Sequence, residues 1–161
     1  MSTEQLLFHL AIDSHFENIE VVQVVLADSL KRLGMSQDGC HWIDIAVREA
    51  VANAIKHGNR QEAGKKVMVD LTLEDGDLVI RVHDQGEGFD PAKLADPLNP
   101  ANLLKPSGRG IFYMRSFMDG VEVERAADGG TLVTLRKKGP FSLVPISTVS
   151  EPPTQREAKS L

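Results

Sequence analysis

The stretch Ile45-Ala-Val-Arg-Glu49-Ala-Val-Ala-Asn53-Ala-Ile-Lys56-His57-Gly58 decides how this chain folds. Ile43, Ala46, Val47, Ala50 and Ala54 recur at helical spacing as one apolar stripe, which predicts a helix from about Gly39 to His57. Ser36-Gln-Asp38 offers its cap, and Gly58-Asn59 closes it. At ~100° per residue, Glu49, Asn53 and Lys56 fall within a sector of roughly 60° bordering the stripe. An acid, a neutral amide oxygen and a cation at the rim of a core suit a magnesium-phosphate site, because magnesium takes oxygen ligands and phosphates take donors. The same residues also describe the solvated border of an ordinary amphipathic helix, and spacing alone leaves both readings open.

Outward from this helix, Leu6 to Ile12 reads as an opening strand ending at the cap Asp13-Ser14. Val22, Val25, Leu26, Leu30 and Leu33 give a helix from Ile19 to Leu33, stopped at Gly34. Val67, Val69, Leu71 and Leu73 alternate with polar residues, as do Leu78, Ile80 and Val82, and Asp75-Gly76 joins the two strands as a hairpin. Between Gly86 and Ser107, Pro91, Pro97, Pro100 and Pro106 predict a lid with little regular structure. Helical spacing resumes from Gly110 to Met118, and strands near Val121 to Arg125 and Thr131 to Lys137 meet through Asp128-Gly129-Gly130. The 161 residues, 42% apolar, suffice for one core, so a single domain is expected over residues 1–139 and a flexible tail over 140–161.

Asp84 is in step with Leu78, Ile80 and Val82, so the twofold period of a strand aims its carboxylate toward the core. A half-buried carboxylate needs a donor, and the amino group of a purine is one; a turn-forming Asp ahead of Gly86 and Gly88 is the plainer alternative. Gly108 and Gly110 bracket Arg109 just before a helix, whose first N–H groups make an anion site. A flexible start to the helix accounts for those glycines equally well. Thr131, in step with Val133 and Leu135, brings a hydroxyl toward the same pocket or serves only as a strand former. His57, His83 and Cys40 have no coherent metal spacing.

Taken in order, Glu49-x-x-x-Asn53, Asp84-x-Gly86-x-Gly88 and Gly108-x-Gly110 resemble the three nucleotide-binding boxes of the GHKL ATPase superfamily. Residues 45–58 and the run Ser107-Gly-Arg-Gly-Ile-Phe-Tyr-Met-Arg-Ser-Phe-Met-Asp119 are most similar to its small anti-sigma factor serine kinases. The resemblance spans roughly residues 6–138. It implies an α/β (α+β) two-layer sandwich, a mixed β-sheet packed on helices in the Bergerat, histidine-kinase-like fold, holding ATP and Mg²⁺. It also implies Glu49 as the base for a substrate hydroxyl, Asn53 as the magnesium ligand and Asp84 as the adenine partner. Gly86, Gly88, Gly108 and Gly110 become the turns that admit nucleotide, Thr131 lies near adenine, and Lys56 matches a phosphate-contacting position. Relatives often carry a basic residue where Pro106 stands, so Lys105 or Arg109 would take over the terminal phosphate.

The net charge of −5 provides no broad basic field, which argues against a nucleic-acid partner. The single cysteine fits a reducing cytoplasm, and neither a membrane span nor a secretory signal is legible. Three functions compete. The first is a serine/threonine kinase acting on a STAS-domain antagonist in a partner switch, with a sigma factor as a second partner and a homodimer as in relatives. The second is a nucleotide-gated binding module that sequesters its partner without turnover. The third, a histidine-kinase catalytic domain, lacks the helical hairpin that would carry the acceptor histidine.

Overall fold

A glycine stop ends the first long helix and a serine cap starts the second. The computed structural model describes residues 2–87 and 114–144. Helix α1 (Ile19–Arg32) ends where Gly34 adopts φ +71°; its N–H donates to the Lys31 carbonyl at 3.0 Å and that of Met35 to the Leu30 carbonyl at 3.2 Å. These two bonds are the Schellman pattern, and only a residue without Cβ takes that φ freely. Helix α2 (Gln37–Asn53) starts at Ser36, whose Oγ accepts from the Gly39 N–H at 3.1 Å. It runs without a break into a π-helical turn over Ala54–Gly58.

The strands are β1 (Glu4–Asp13), β2 (Lys66–Glu74), β3 (Asp77–His83), β4 (Gly120–Arg125) and β5 (Thr131–Lys137). Asp75 and Gly76 both take positive φ, as a two-residue hairpin turn of right-handed twist requires, and Glu74 pairs with Asp77 across it. The sheet order is β1-β2-β3-β5-β4. The two-layer sandwich expected from sequence is present, but the sheet is antiparallel at each described pairing rather than mixed. The reason is local: β4 runs parallel to β3, and its hairpin partner β5 takes the place beside β3 instead.

Twofold alternation puts Val67, Val69, Leu71, Leu78, Ile80, Val82 and Leu135 on one sheet face, where they meet Val22, Leu26 and Leu30 of α1 and Ile43, Val47 and Val51 of α2. On the opposite face no described helix lies; there Glu74 holds Arg81 at 2.7 Å and Arg136 at 3.1 Å, and Arg136 reaches Asp77 at 3.4 Å. These long side chains cross the sheet where Thr72 and Val79 are buried, so their stems serve as its cover.

The chain after Gly139, expected as a loose tail, is held through residue 144. The Phe141 N–H donates to the Gly76 carbonyl and the Val144 N–H to the Arg32 carbonyl, both at 2.7 Å. Phe141 packs on the core, an anchor that a proline-rich composition does not reveal. Among the described residues no helix is long and apolar enough to cross a membrane.

Leu71 is fully buried at the centre of the sheet. Leu71→Ala is expected to lower stability by about 2–5 kcal/mol, seen as a lower urea midpoint with an unchanged slope.

Candidate functional site

Asp84 follows β3 in phase with its buried residues, and only 3% of it is exposed. Its Oδ1 accepts from the backbone N–H of Gly86 and of Thr131, each at 3.0 Å, and its own N–H donates to the Thr131 carbonyl at 3.0 Å. Both carboxylate bonds fall on Oδ1; among the described residues Oδ2 receives none. The turn bond to Gly86 and the burial expected from the strand phase are both present at Asp84.

Three glycines close around this carboxylate with no space for a side chain. A Cβ on Gly58 would lie 2.1 Å from Asp84 Oδ2, one on Gly86 2.1 Å from the Gly58 carbonyl oxygen, and one on Gly130 2.1 Å from the Asp84 carbonyl oxygen. Gly58 and Gly130 are site residues that sequence reasoning treated only as a helix stop and a turn. Thr131 is 2% exposed, and its Oγ1 finds no hydrogen-bond partner among the described residues. An unmet buried hydroxyl costs about 1–3 kcal/mol. Oδ2 of Asp84 and Oγ1 of Thr131, both without a hydrogen-bond partner among the described residues, supply an acceptor and a donor–acceptor on two residues that the Thr131 N–H to Oδ1 bond holds together.

Asn59, 0% exposed, holds the loop after Asp84 in place. Its Nδ2 donates to Ser14 Oγ at 2.8 Å and to the Lys66 carbonyl at 2.9 Å, while its Oδ1 accepts from the Gln85 backbone N–H at 2.7 Å. Gln85 Oε1 in turn accepts from the Lys66 N–H at 2.7 Å. On the other side, His83 Nε2 and the Gly130 N–H each lie 3.0 Å from Asp128 Oδ1. The Gly130 N–H first, and the His83 ring second, hold the Asp128 carboxyl below the usual carboxylate range.

Glu49 and Asn53 stand one turn apart on α2, both half-buried, and neither makes a hydrogen bond or ion pair among the described residues. Lys56 is exposed and lies inside the π-helical turn. From Gly58, against the Asp84 carboxylate, back to Glu49 the helical rim runs roughly 13 Å at 1.5 Å per residue. Gly88, Lys105, Gly108, Arg109 and Gly110, with the expected lid, lie outside the described residues. Beyond them, residues 114–117 are helical; Met114 and Met118 are buried, and the Phe117 ring stacks on Trp42 at 4.3 Å.

A two-layer sandwich whose buried strand-end Asp meets a helix carrying Glu and Asn defines a nucleotide-binding ATPase domain. The chain belongs to the family described as the histidine kinase-like ATPase domain, whose profile matches residues 12–137. It is 34% identical over 131 residues to the anti-sigma F factor of Oceanobacillus iheyensis, covering 80% of this chain and 90% of that protein. Over 133 residues it is 32% identical to the anti-sigma F factor of Bacillus subtilis, with the same 80% and 90% coverage. It is also 35% identical to that of Clostridium acetobutylicum over 130 residues, 80% of this chain and 89% of that one. The solved RsbU and RsbW domains of a Mycobacterium tuberculosis protein share its fold with a TM-score of 0.57 at 21% identity. That match covers 82% of this chain and 32% of the mycobacterial one.

Gly58→Ala must displace Asp84 or the helix end. ATP affinity is expected to fall at least tenfold, about 1.4 kcal/mol, in titration calorimetry on protein whose circular dichroism matches the parent.

Proposed function

We propose that this chain is an anti-sigma-type serine/threonine kinase that binds ATP at Asp84 and phosphorylates a serine of a STAS-domain antagonist. The carrying observation is the pair at the floor of the site, Asp84 Oδ2 and Thr131 Oγ1, both without a hydrogen-bond partner among the described residues, within the cradle of Gly58, Gly86 and Gly130. Adenine presents an exocyclic amino donor beside a ring-nitrogen acceptor, which matches a carboxylate oxygen and a hydroxyl. Gly86, Gly88, Gly108 and Gly110 admit the nucleotide backbone, with Lys105 or Arg109 near the terminal phosphate in place of a base at Pro106.

Asn53 fits a magnesium ion held mainly by nucleotide. Its amide oxygen is a hard ligand left without a partner among the described residues, and such sites need only one or two protein oxygens. When bound, the ion neutralises charge on the phosphate oxygens. Glu49 then accepts the serine hydroxyl proton as that oxygen bonds to the γ-phosphorus and the bond to the ADP oxygen breaks. The added phosphate charge opposes rebinding of the antagonist, which frees this chain to hold a sigma factor. The names of the Bacillus and Clostridium relatives support that second partner.

A nucleotide-gated module without turnover shares the same floor and differs only in needing no base. The half-buried, unpaired Glu49 favours the kinase.

Labelled ATP incubated with this chain and candidate STAS proteins should place label on serine. Glu49→Gln should retain ATP affinity and abolish that label; label without loss removes Glu49 as the base, and binding of the partner without any label makes the chain a module. Asp84→Asn should weaken every adenine nucleotide by about 1–3 kcal/mol, and superimposable titrations would reject the adenine assignment.

A further inference from the structure

Asn59 is buried completely, yet its side chain makes no hydrogen bond to the Asp84 carboxylate or, among the described residues, to any group proposed to meet a phosphate. Its side-chain hydrogen bonds among the described residues go to three separate segments: Ser14 after β1, Lys66 at the start of β2, and Gln85 between Asp84 and Gly86. A helix stop needs none of this, because Gly58 and the carbonyl of Ala54, which accepts the Asn59 N–H at 2.8 Å, already end the turn.

The bond to Gln85 has a geometric consequence. Gln85 joins Asp84 to Gly86, and Gly86 supplies one of the two N–H groups on Asp84 Oδ1. The Gln85 N–H, 2.7 Å from Asn59 Oδ1, fixes the Asp84–Gln85 peptide, and Lys66 holds the Gln85 side chain at 2.7 Å, so the residue from which the Gly86 N–H departs is anchored at both its backbone and its side chain. Without it the Thr131 N–H alone would hold Oδ1, and the carboxylate could rotate about its last torsion, which is broad for an sp³–sp² bond. A rotating carboxylate still accepts hydrogen bonds, but it loses a fixed direction for Oδ2.

We infer, on the footing that Asp84 holds adenine as proposed above, that Asn59 is a positioning residue for purine selectivity, acting through Gln85 to lock the direction of Asp84 Oδ2. Adenine offers an amino donor at the position where guanine carries a carbonyl acceptor. A locked Oδ2 accepts from the first and opposes the second; a loose one turns aside from the guanine carbonyl and gives up discrimination. Selectivity, more than ATP affinity, is what Asn59 protects.

Dissociation constants for ATP and GTP are measured by calorimetry with magnesium on the full chain, for the parent, Asp84→Asn, Asn59→Ala, Asn59→Ser, Asn59→Asp and Leu71→Ala. The ATP preference is expected to fall at least tenfold in Asn59→Ala and in the milder Asn59→Ser, whose hydroxyl is too short to reach Gln85. Asn59→Asp keeps an acceptor for Gln85 and should retain most of the preference despite losing both amide donations. Leu71→Ala should be less stable than the parent with an unchanged ATP-to-GTP ratio. A folded Asn59→Ala or Asn59→Ser protein with the parent's ratio overturns the inference, as does an equal loss in Leu71→Ala. If instead the parent has no ATP preference, or Asp84→Asn leaves it intact, the adenine assignment itself fails and takes the inference with it.

Discussion

Burying one carboxylate at the end of β3 constrains much of what surrounds it. Asp84 has been moved out of water at the point where the sheet stops, so its oxygens need donors from other segments. Two backbone N–H groups converge on Oδ1 from Gly86 and Thr131, which are far apart in the chain and adjacent in space. Backbone can approach a carboxylate this closely only where no Cβ intervenes, and that is the condition Gly58, Gly86 and Gly130 meet together. The helix end, the loop after β3 and the turn between β4 and β5 are thus three answers to one solvation problem.

The sheet supplies the rigidity that makes such an arrangement usable. Its inner face is apolar and shared with both helices, while its outer face is closed by Arg81, Arg136, Glu74 and Asp77 rather than by another layer. Exposed ion pairs contribute little each, about 0–1 kcal/mol, so the value of this group lies in the apolar stems laid over Val79 as much as in the charges. Twisting or slipping of β3 against β5 would move Asp84 relative to Thr131, and the antiparallel ladder from Leu78 to His83 resists both.

Much of this was legible in the chain. Alternation at residues 67–73 and 78–82 and the helical stripe from Ile43 to Ala54 gave the elements within a residue or two, because each depends on local periodicity. Asp84 was also legible, since a carboxylate in phase with Leu78, Ile80 and Val82 has to be explained. Gly130 and Asn59 were not. Their roles come from contacts with Asp84 and Ser14 across long sequence separations, and a Gly in a turn or an Asn after a helix has an adequate local explanation. The π-helical turn was hidden for the same reason: the apolar spacing up to Ala54 fits a regular helix, and the close approach of Gly58 to Asp84 is a contact over a long sequence separation.

That approach links the two ends of the site. Gly58 is in contact with the proposed purine floor, and the same continuous helix carries Asn53 and Glu49 toward the proposed phosphate end. On the proposed kinase reading, a purine seated on Asp84 is measured against α2 as against a ruler, and its terminal phosphorus reaches Glu49 only if the purine is fully home. Positional catalysis of this kind is lost over displacements of about 1 Å. Binding alone would need no such register, and it would give no reason to keep the Glu49 carboxylate half-buried and unpaired among the described residues, where an alanine or a glutamine would be easier to accommodate.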